Sequence, residues 1–128
     1  MIQNHLSTIC EELSLAMPPL DKKKNSYSLE INPTISLTFT ELNPGFSLFG
    51  IISPCPTKQR EELFLYLMRA NFLGQGTGGA RLGLDPEEKS LTLSCSFPYE
   101  MKYQDFKEKL EDFANFLLYW RSEIEKFL

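Results

Sequence analysis

One histidine, His5, and three cysteines, Cys10, Cys55 and Cys95, are the only imidazole and thiol groups in these 128 residues. Scattered this way they give no tetrahedral metal pattern, which needs ligands grouped at short spacing. The odd cysteine count fits free thiols in a reducing cytosol rather than a disulfide framework. Basic charge is scarce too. Thirteen Lys and Arg stand against seventeen Asp and Glu, for a net charge of −4 and a pI near 5.0. The chain therefore lacks the cationic footprint that nucleic acid requires. Its one basic run, Lys22-Lys23-Lys24, reads as a solvated loop. No window approaches the ~18 apolar residues of a membrane span. The first ten residues have neither a basic start nor a continuous apolar stretch, so they do not read as a secretory signal.

The tools of catalysis are missing as well. Gly74-Gln75-Gly76-Thr77-Gly78-Gly79 is the one glycine-rich stretch. A phosphate cradle needs a strand, the loop and then a helix N-terminus. Here a helix ends, the glycines follow, and a strand begins, with no Gly-Lys-Ser/Thr. The stretch reads as a helix C-cap at Gly74 and a connection. Glu11-Glu12, Glu61-Glu62 and Glu87-Glu88 fit solvated faces and turns, not an acid–base pair. No local pattern pairs His5 with Cys10 or Cys95 as base and nucleophile. No catalytic residue, cofactor site or metal site is expected.

Apolar content of 42% and aromatic content of 12% supply a core, and the length fits one domain spanning residues 1–128. Ile2, Leu6, Ile9, Leu13 and Ala16 line one helix face, which Pro18-Pro19 ends. Three strands follow, each with period-two alternation. The first carries Tyr27, Leu29 and Ile31, the second Ile35, Leu37 and Phe39, and the third runs from Phe46 to Ile52. Asn32-Pro33-Thr34 and Asn43-Pro44-Gly45 supply the turns. A helix over about Lys58 to Leu73 comes next, with Thr57 as its expected N-cap. Ala80 to Leu84 and Leu91 to Phe97 make a hairpin around Asp85-Pro86-Glu87-Glu88-Lys89. A helix from about Tyr103 to Phe127 carries a seam of Phe106, Leu110, Phe113, Leu117, Trp120, Ile124 and Phe127, spaced by fours and threes. Phe116, Leu118 and Tyr119 beside the seam suggest a broad contact with a sheet. The fold class is α+β: helix, three-stranded antiparallel meander, helix, two-stranded hairpin, long C-terminal helix.

The middle helix is unusual. Leu63, Phe64, Leu65, Tyr66, Leu67 and Met68 are consecutive, so apolar groups go nearly all the way round. A small domain covers one side of such a helix, and a second subunit is the natural cover for the other. The competing reading is a central helix sandwiched within the monomer. The excess of apolar groups and of strand edges points to protein recognition.

This order of elements resembles the class I chaperones of bacterial type III secretion, the family that includes the Tir chaperone type. The resemblance is carried by Glu61-Glu62-Leu63 through Arg69-Ala70-Asn71-Phe72, then Gly74 to Gly79, Leu82-Gly83-Leu84-Asp85, Leu91-Thr92-Leu93 and the Phe106 to Trp120 helix. It implies a bacterial cytoplasmic protein that binds the N-terminal segment of a secreted effector or regulator and keeps it extended and export-competent, without ATPase activity. It also implies a dimer contact at Phe64, Leu67, Met68, Asn71, Phe72 and Leu82, in a homodimer or with a second chaperone chain. Cargo grooves near the first helix and the sheet would draw on Leu13, Leu29, Ile31, Leu37, Phe39, Phe46 and Leu48, each of which also reads as ordinary core. The chief rival is a regulatory module of the same fold that binds a folded partner; a second is a small enzyme with Cys95 or Cys10 as nucleophile.

Overall fold

The computed structural model describes residues 2–127. Helix α1 spans Ile2–Leu13 and buries Ile2, Leu6, Ile9 and Cys10. It ends earlier than the apolar spacing to Ala16 suggests. Ser14 takes a left-handed φ of 57°. The Leu15 N–H then bonds the Cys10 carbonyl at 2.8 Å, and the Ser14 N–H bonds that of Glu11 at 3.3 Å. That reciprocal pair is a Schellman cap, and it stops the helix ahead of the prolines.

One antiparallel sheet of six strands follows, in spatial order β1-β2-β3-β4-β6-β5. Its strands are β1 (Leu20–Asp21), β2 (Ser26–Asn32), β3 (Ile35–Glu41), β4 (Phe46–Pro54), β5 (Arg81–Leu84) and β6 (Ser90–Phe97). The expected meander and hairpin are joined into this one sheet by a long β4–β6 ladder, from Phe46↔Phe97 to Pro54↔Ser90. The two-residue β1 was not expected, because its neighbours are Pro18-Pro19 and the lysine run. Gly45, between β3 and β4, has φ 93°, and a Cβ there would meet the Phe97 carbonyl.

Alternation along β2, β3 and β4 sends Leu29, Leu37, Phe39, Leu48 and Ile52 to one face. Helix α3 (Tyr103–Glu125) covers that face with Phe106, Leu110, Phe113, Leu117, Trp120 and Ile124, the whole seam expected from the spacing apart from half-buried Phe127. The Phe106 ring lies 6.2 Å from Phe39 and 5.4 Å from Phe46. Gly50 leaves room for Leu37 and Leu117 to meet across β4. Leu118 and Tyr119 do not join this contact; both are exposed. The opposite face of the sheet is open, and Phe49 and Ile51 stand on it among serines and threonines.

Helix α2 (Arg60–Asn71) begins after Gln59, whose left-handed φ of 58° turns the chain into it without a side-chain cap. Thr57 is therefore not the N-cap. Glu61 and Glu62 in the first turn and Arg69 in the last complement the helix dipole instead. A 3-10 turn over Phe72–Gly74 closes α2, with Leu73 at φ 54°.

Candidate protein-binding surfaces

Besides the open sheet face, two apolar grooves lie at opposite edges of the sheet. The first lies on α2 and β5. One side of α2 is pinned inward. Leu63 and Leu67 are buried. The Tyr66 hydroxyl donates to Glu123 of α3, and the Tyr66 ring lies 5.3 Å from Trp120. That carboxylate bond is the main reason the Tyr66 phenol is held well above its usual range. The glycine loop is tied to the same point, because the Trp120 indole N–H donates to the Gly76 carbonyl at 3.1 Å. Gly78 packs so closely that a Cβ would lie 2.3 Å from the Phe116 ring.

The other side of α2 has no cover. Leu65 is 55% exposed, Met68 69%, Phe72 64% and Leu73 81%. Between this side and the hairpin runs an apolar groove of about 240 Å³, lined by Phe64, Leu67, Met68 and Asn71 on α2 and by Leu82, Gly83, Leu84 and Leu91. Asn71 Nδ2 donates to the Leu82 carbonyl at 2.9 Å, and its Oδ1 accepts from the Leu82 N–H at 2.7 Å. Five of the six residues that the resemblance assigned to a dimer contact thus meet in one groove, and Phe72 stands exposed at its end.

The second surface lies at the β2 edge. The Glu41 N–H donates to the Asn25 carbonyl at 3.0 Å, and β2 continues from there in register with β3 as Ser26↔Thr40 through Glu30↔Ser36. Antiparallel pairing alternates, so Tyr27 and Leu29 turn their backbone groups toward β3 while Ser26, Ser28 and Glu30 turn theirs outward. Strand β1 pairs with this edge only at Leu20↔Tyr27 and Asp21↔Ser26. Beyond it, a groove of about 540 Å³ separates Leu15, Ala16 and Pro18 from the stretch between Ser28 and Pro33. Leu13, Met17 and Leu20, neighbours in the chain of its lining residues, are exposed.

The sequence-named cargo residues divide here. Ile31 lines this groove and Leu13 is exposed at the end of α1. Leu29 also lines the groove but is buried. Leu37, Phe39, Phe46 and Leu48 are enclosed in the core, at 3% exposure or less, and offer a partner no surface in this structure. Period-two alternation identifies the covered face of a sheet, not its cover; here α3 is the cover. Leu15, Ala16 and Pro18, which form the groove's far wall, were missed. They follow the helix without periodicity, and the diproline reads only as a terminator.

Ionic contacts hold α1 to α3 near this end. Lys107 Nζ lies 3.0 Å from Glu12 Oε2 and, as the largest influence, holds the Glu12 carboxyl below its usual range. His5 Nε2 bonds the Met101 carbonyl at 2.7 Å, and its ring stacks on Phe106 at 5.2 Å. Cys10 is buried on α1, while Cys95 lines a small cavity of about 120 Å³ beside the glycine loop. That cavity is well below the size of sites that hold small molecules. Among the described residues no helix is long and apolar enough to cross a membrane.

Open apolar surface thus lies at both edges of one sheet. The Tir chaperone protein (CesT) family matches residues 5–121, and the chain belongs to that family, whose members are type III secretion chaperones. Solved structures share the fold at low identity. The ExsC–ExsE complex superposes with a TM-score of 0.77 at 14% identity, over 94% of this chain and 91% of that one. The HopA1–SchA chaperone–effector complex does so at 0.70 and 17%, over 94% and 93%. The heterodimeric ExoU–SpcU complex of Pseudomonas aeruginosa does so at 0.67 and 17%, over 97% and 94%. A Chlamydia pneumoniae protein is 35% identical over 69 residues, which is 54% of this chain and about half (52%) of that relative.

Proposed function

We propose that this protein is a cytoplasmic chaperone that holds the N-terminal segment of a secreted effector or regulator extended, without catalysis, and works as a dimer through the α2–β5 groove. The observation that carries the reading is the outward-facing β2 edge beside an apolar groove. An extended cargo chain adds a strand there, and its apolar side chains enter between Ile31 and the wall of Leu15, Ala16 and Pro18. Backbone pairing supplies affinity with little demand on sequence, and the groove supplies selectivity. Together they offset the entropy lost when a disordered segment is ordered. A structural relative that is a chaperone–effector complex supports this reading. The uncovered Leu65, Met68 and Phe72 support the dimer, since each side chain of this kind gains about 1.5–3 kcal/mol on full burial.

The test is co-expression with the N-terminal segments of secreted proteins encoded near its gene, followed by light scattering on a sizing column. A stoichiometric complex with a segment that is unfolded when free is expected. Glu30→Pro removes only an outward N–H from an edge strand, a position where proline is tolerated, and should weaken that complex at least tenfold. Binding that requires a folded partner would favour the regulatory module instead. Full binding by Glu30→Pro would place the cargo elsewhere.

A further inference from the structure

The β2 edge is open for a reason that lies in the chain beside it. The segment from Leu15 to Lys24 is a strap between two left-handed residues, Ser14 at φ 57° and Asn25 at φ 53°. It begins to pair with β2 and then stops. Continuing the β1–β2 register, Leu20↔Tyr27 and Asp21↔Ser26, places Pro19 opposite Ser28, Pro18 opposite Leu29 and Met17 opposite Glu30. Alternation makes Asp21–Ser26, Pro19–Ser28 and Met17–Glu30 the pairs that would exchange backbone bonds. Pro19 has no N–H to give the Ser28 carbonyl. The reciprocal pair cannot close, and the ladder never reaches Glu30.

The geometry points to Pro19 as the residue that keeps the β2 edge unoccupied by the protein's own strap. Pro18 has a different task. Its nitrogen faces away from β2, so it blocks the outer side of the strap from recruiting further strands. The pair Pro18-Pro19 therefore guards two edges, one by each ring. This inference deepens the function proposed above, because the edge reserved by Pro19 is the one assigned to cargo. It concerns the empty protein, however, and its test needs no cargo.

Amide hydrogen exchange on the purified full chain reads it directly. Pro19→Val and Pro19→Ala restore the missing donor, so β1 should lengthen toward Met17. The Glu30 N–H should then exchange at least tenfold more slowly than in the wild-type protein, with core amides such as Leu37 unchanged as the control for folding. Pro18→Val should leave Glu30 exchange where it was. Unchanged Glu30 exchange in both Pro19 variants would overturn the inference, and so would equal slowing in Pro18→Val, which would mean that chain stiffness and not the missing donor holds the edge open. If the Pro19 result holds while Glu30→Pro leaves cargo binding intact, the guard stands and the cargo site does not.

Discussion

Asn71 treats Leu82 as a neighbouring strand would. Its side-chain amide takes both backbone groups of Leu82, donating to the carbonyl at 2.9 Å and accepting from the N–H at 2.7 Å. Leu82 sits on β5, the last strand of the sheet, so the amide closes an edge that would otherwise be free to pair. It also fixes the distance between α2 and the hairpin, and with it the width of the apolar groove between them. Asn71→Ala should lower stability by about 1–3 kcal/mol, the usual cost of orphaned backbone groups. Asn71→Asp should also destabilise, because a carboxylate accepts but cannot donate to the carbonyl. Urea midpoints of the two variants check this.

The exposed side of α2 allows a clean cut. Met68 is 69% exposed and Leu67 only 7%. If α2 forms the dimer contact proposed above, Met68→Glu should halve the solution mass without lowering the helix signal in circular dichroism. Leu67→Glu should unfold the chain, since it places a charge in the core. A Met68→Glu protein of unchanged mass would remove α2 from the interface.

Arg121 joins elements with no carboxylate partner among the described residues. Its Nε donates to the Ile52 carbonyl at 2.8 Å and one terminal nitrogen to that of Ile51 at 3.0 Å, while the other reaches the Thr34 carbonyl in the β2–β3 turn. Those bonds lie where the β4–β6 register shifts, between Ile51 and Ser53. Arg121→Ala should cost on the order of 2–3 kcal/mol. Arg121→Lys should recover only part of it, because an ammonium cannot span three acceptors as a planar fork does. Denaturant titration separates the three proteins.

Cys95 has a thiol pushed from 9.0 to about 11, chiefly by burial, opposed first by a backbone hydrogen bond with Leu48 and then by the charges of Lys109 and Arg81. Burial raises the Cys10 thiol too. Both should resist alkylation at neutral pH, and labelling of Cys95 should keep rising toward pH 11. A group whose folded value is raised contributes stability at lower pH and withdraws it as pH climbs. Melting temperature should therefore begin to fall above pH 9. Mass spectrometry after timed iodoacetamide treatment, and melts across that range, test both halves.

Much of this architecture was legible in the residues. The α3 seam could be read because fours and threes repeat without interruption from Phe106 to Ile124. The two-sided character of α2 could be read because six apolar residues in a row leave no polar face. Strand alternation marks the covered side of the sheet but not its cover, so Leu37, Phe39, Phe46 and Leu48 read equally as cargo contacts or as core; here they lie under α3. Helix ends were set by backbone conformation at Ser14 and Gln59, two residues whose side chains do not announce a left-handed turn. The β2 groove depends on a non-periodic strap, and the join between β4 and β6 depends on pairing across a helix. Neither leaves a local trace.

Trp120 is the only tryptophan of the chain, and it stands where α2, the glycine loop and α3 meet. Its fluorescence is therefore a built-in reporter of one end of the molecule. An event that loosens α2 or frees the Gly76 carbonyl lets water reach the indole and moves the emission to longer wavelength. A strand added along β2, at the far edge of the sheet, leaves the colour unchanged. A single unlabelled sample thus distinguishes occupancy of one surface from disturbance of the other.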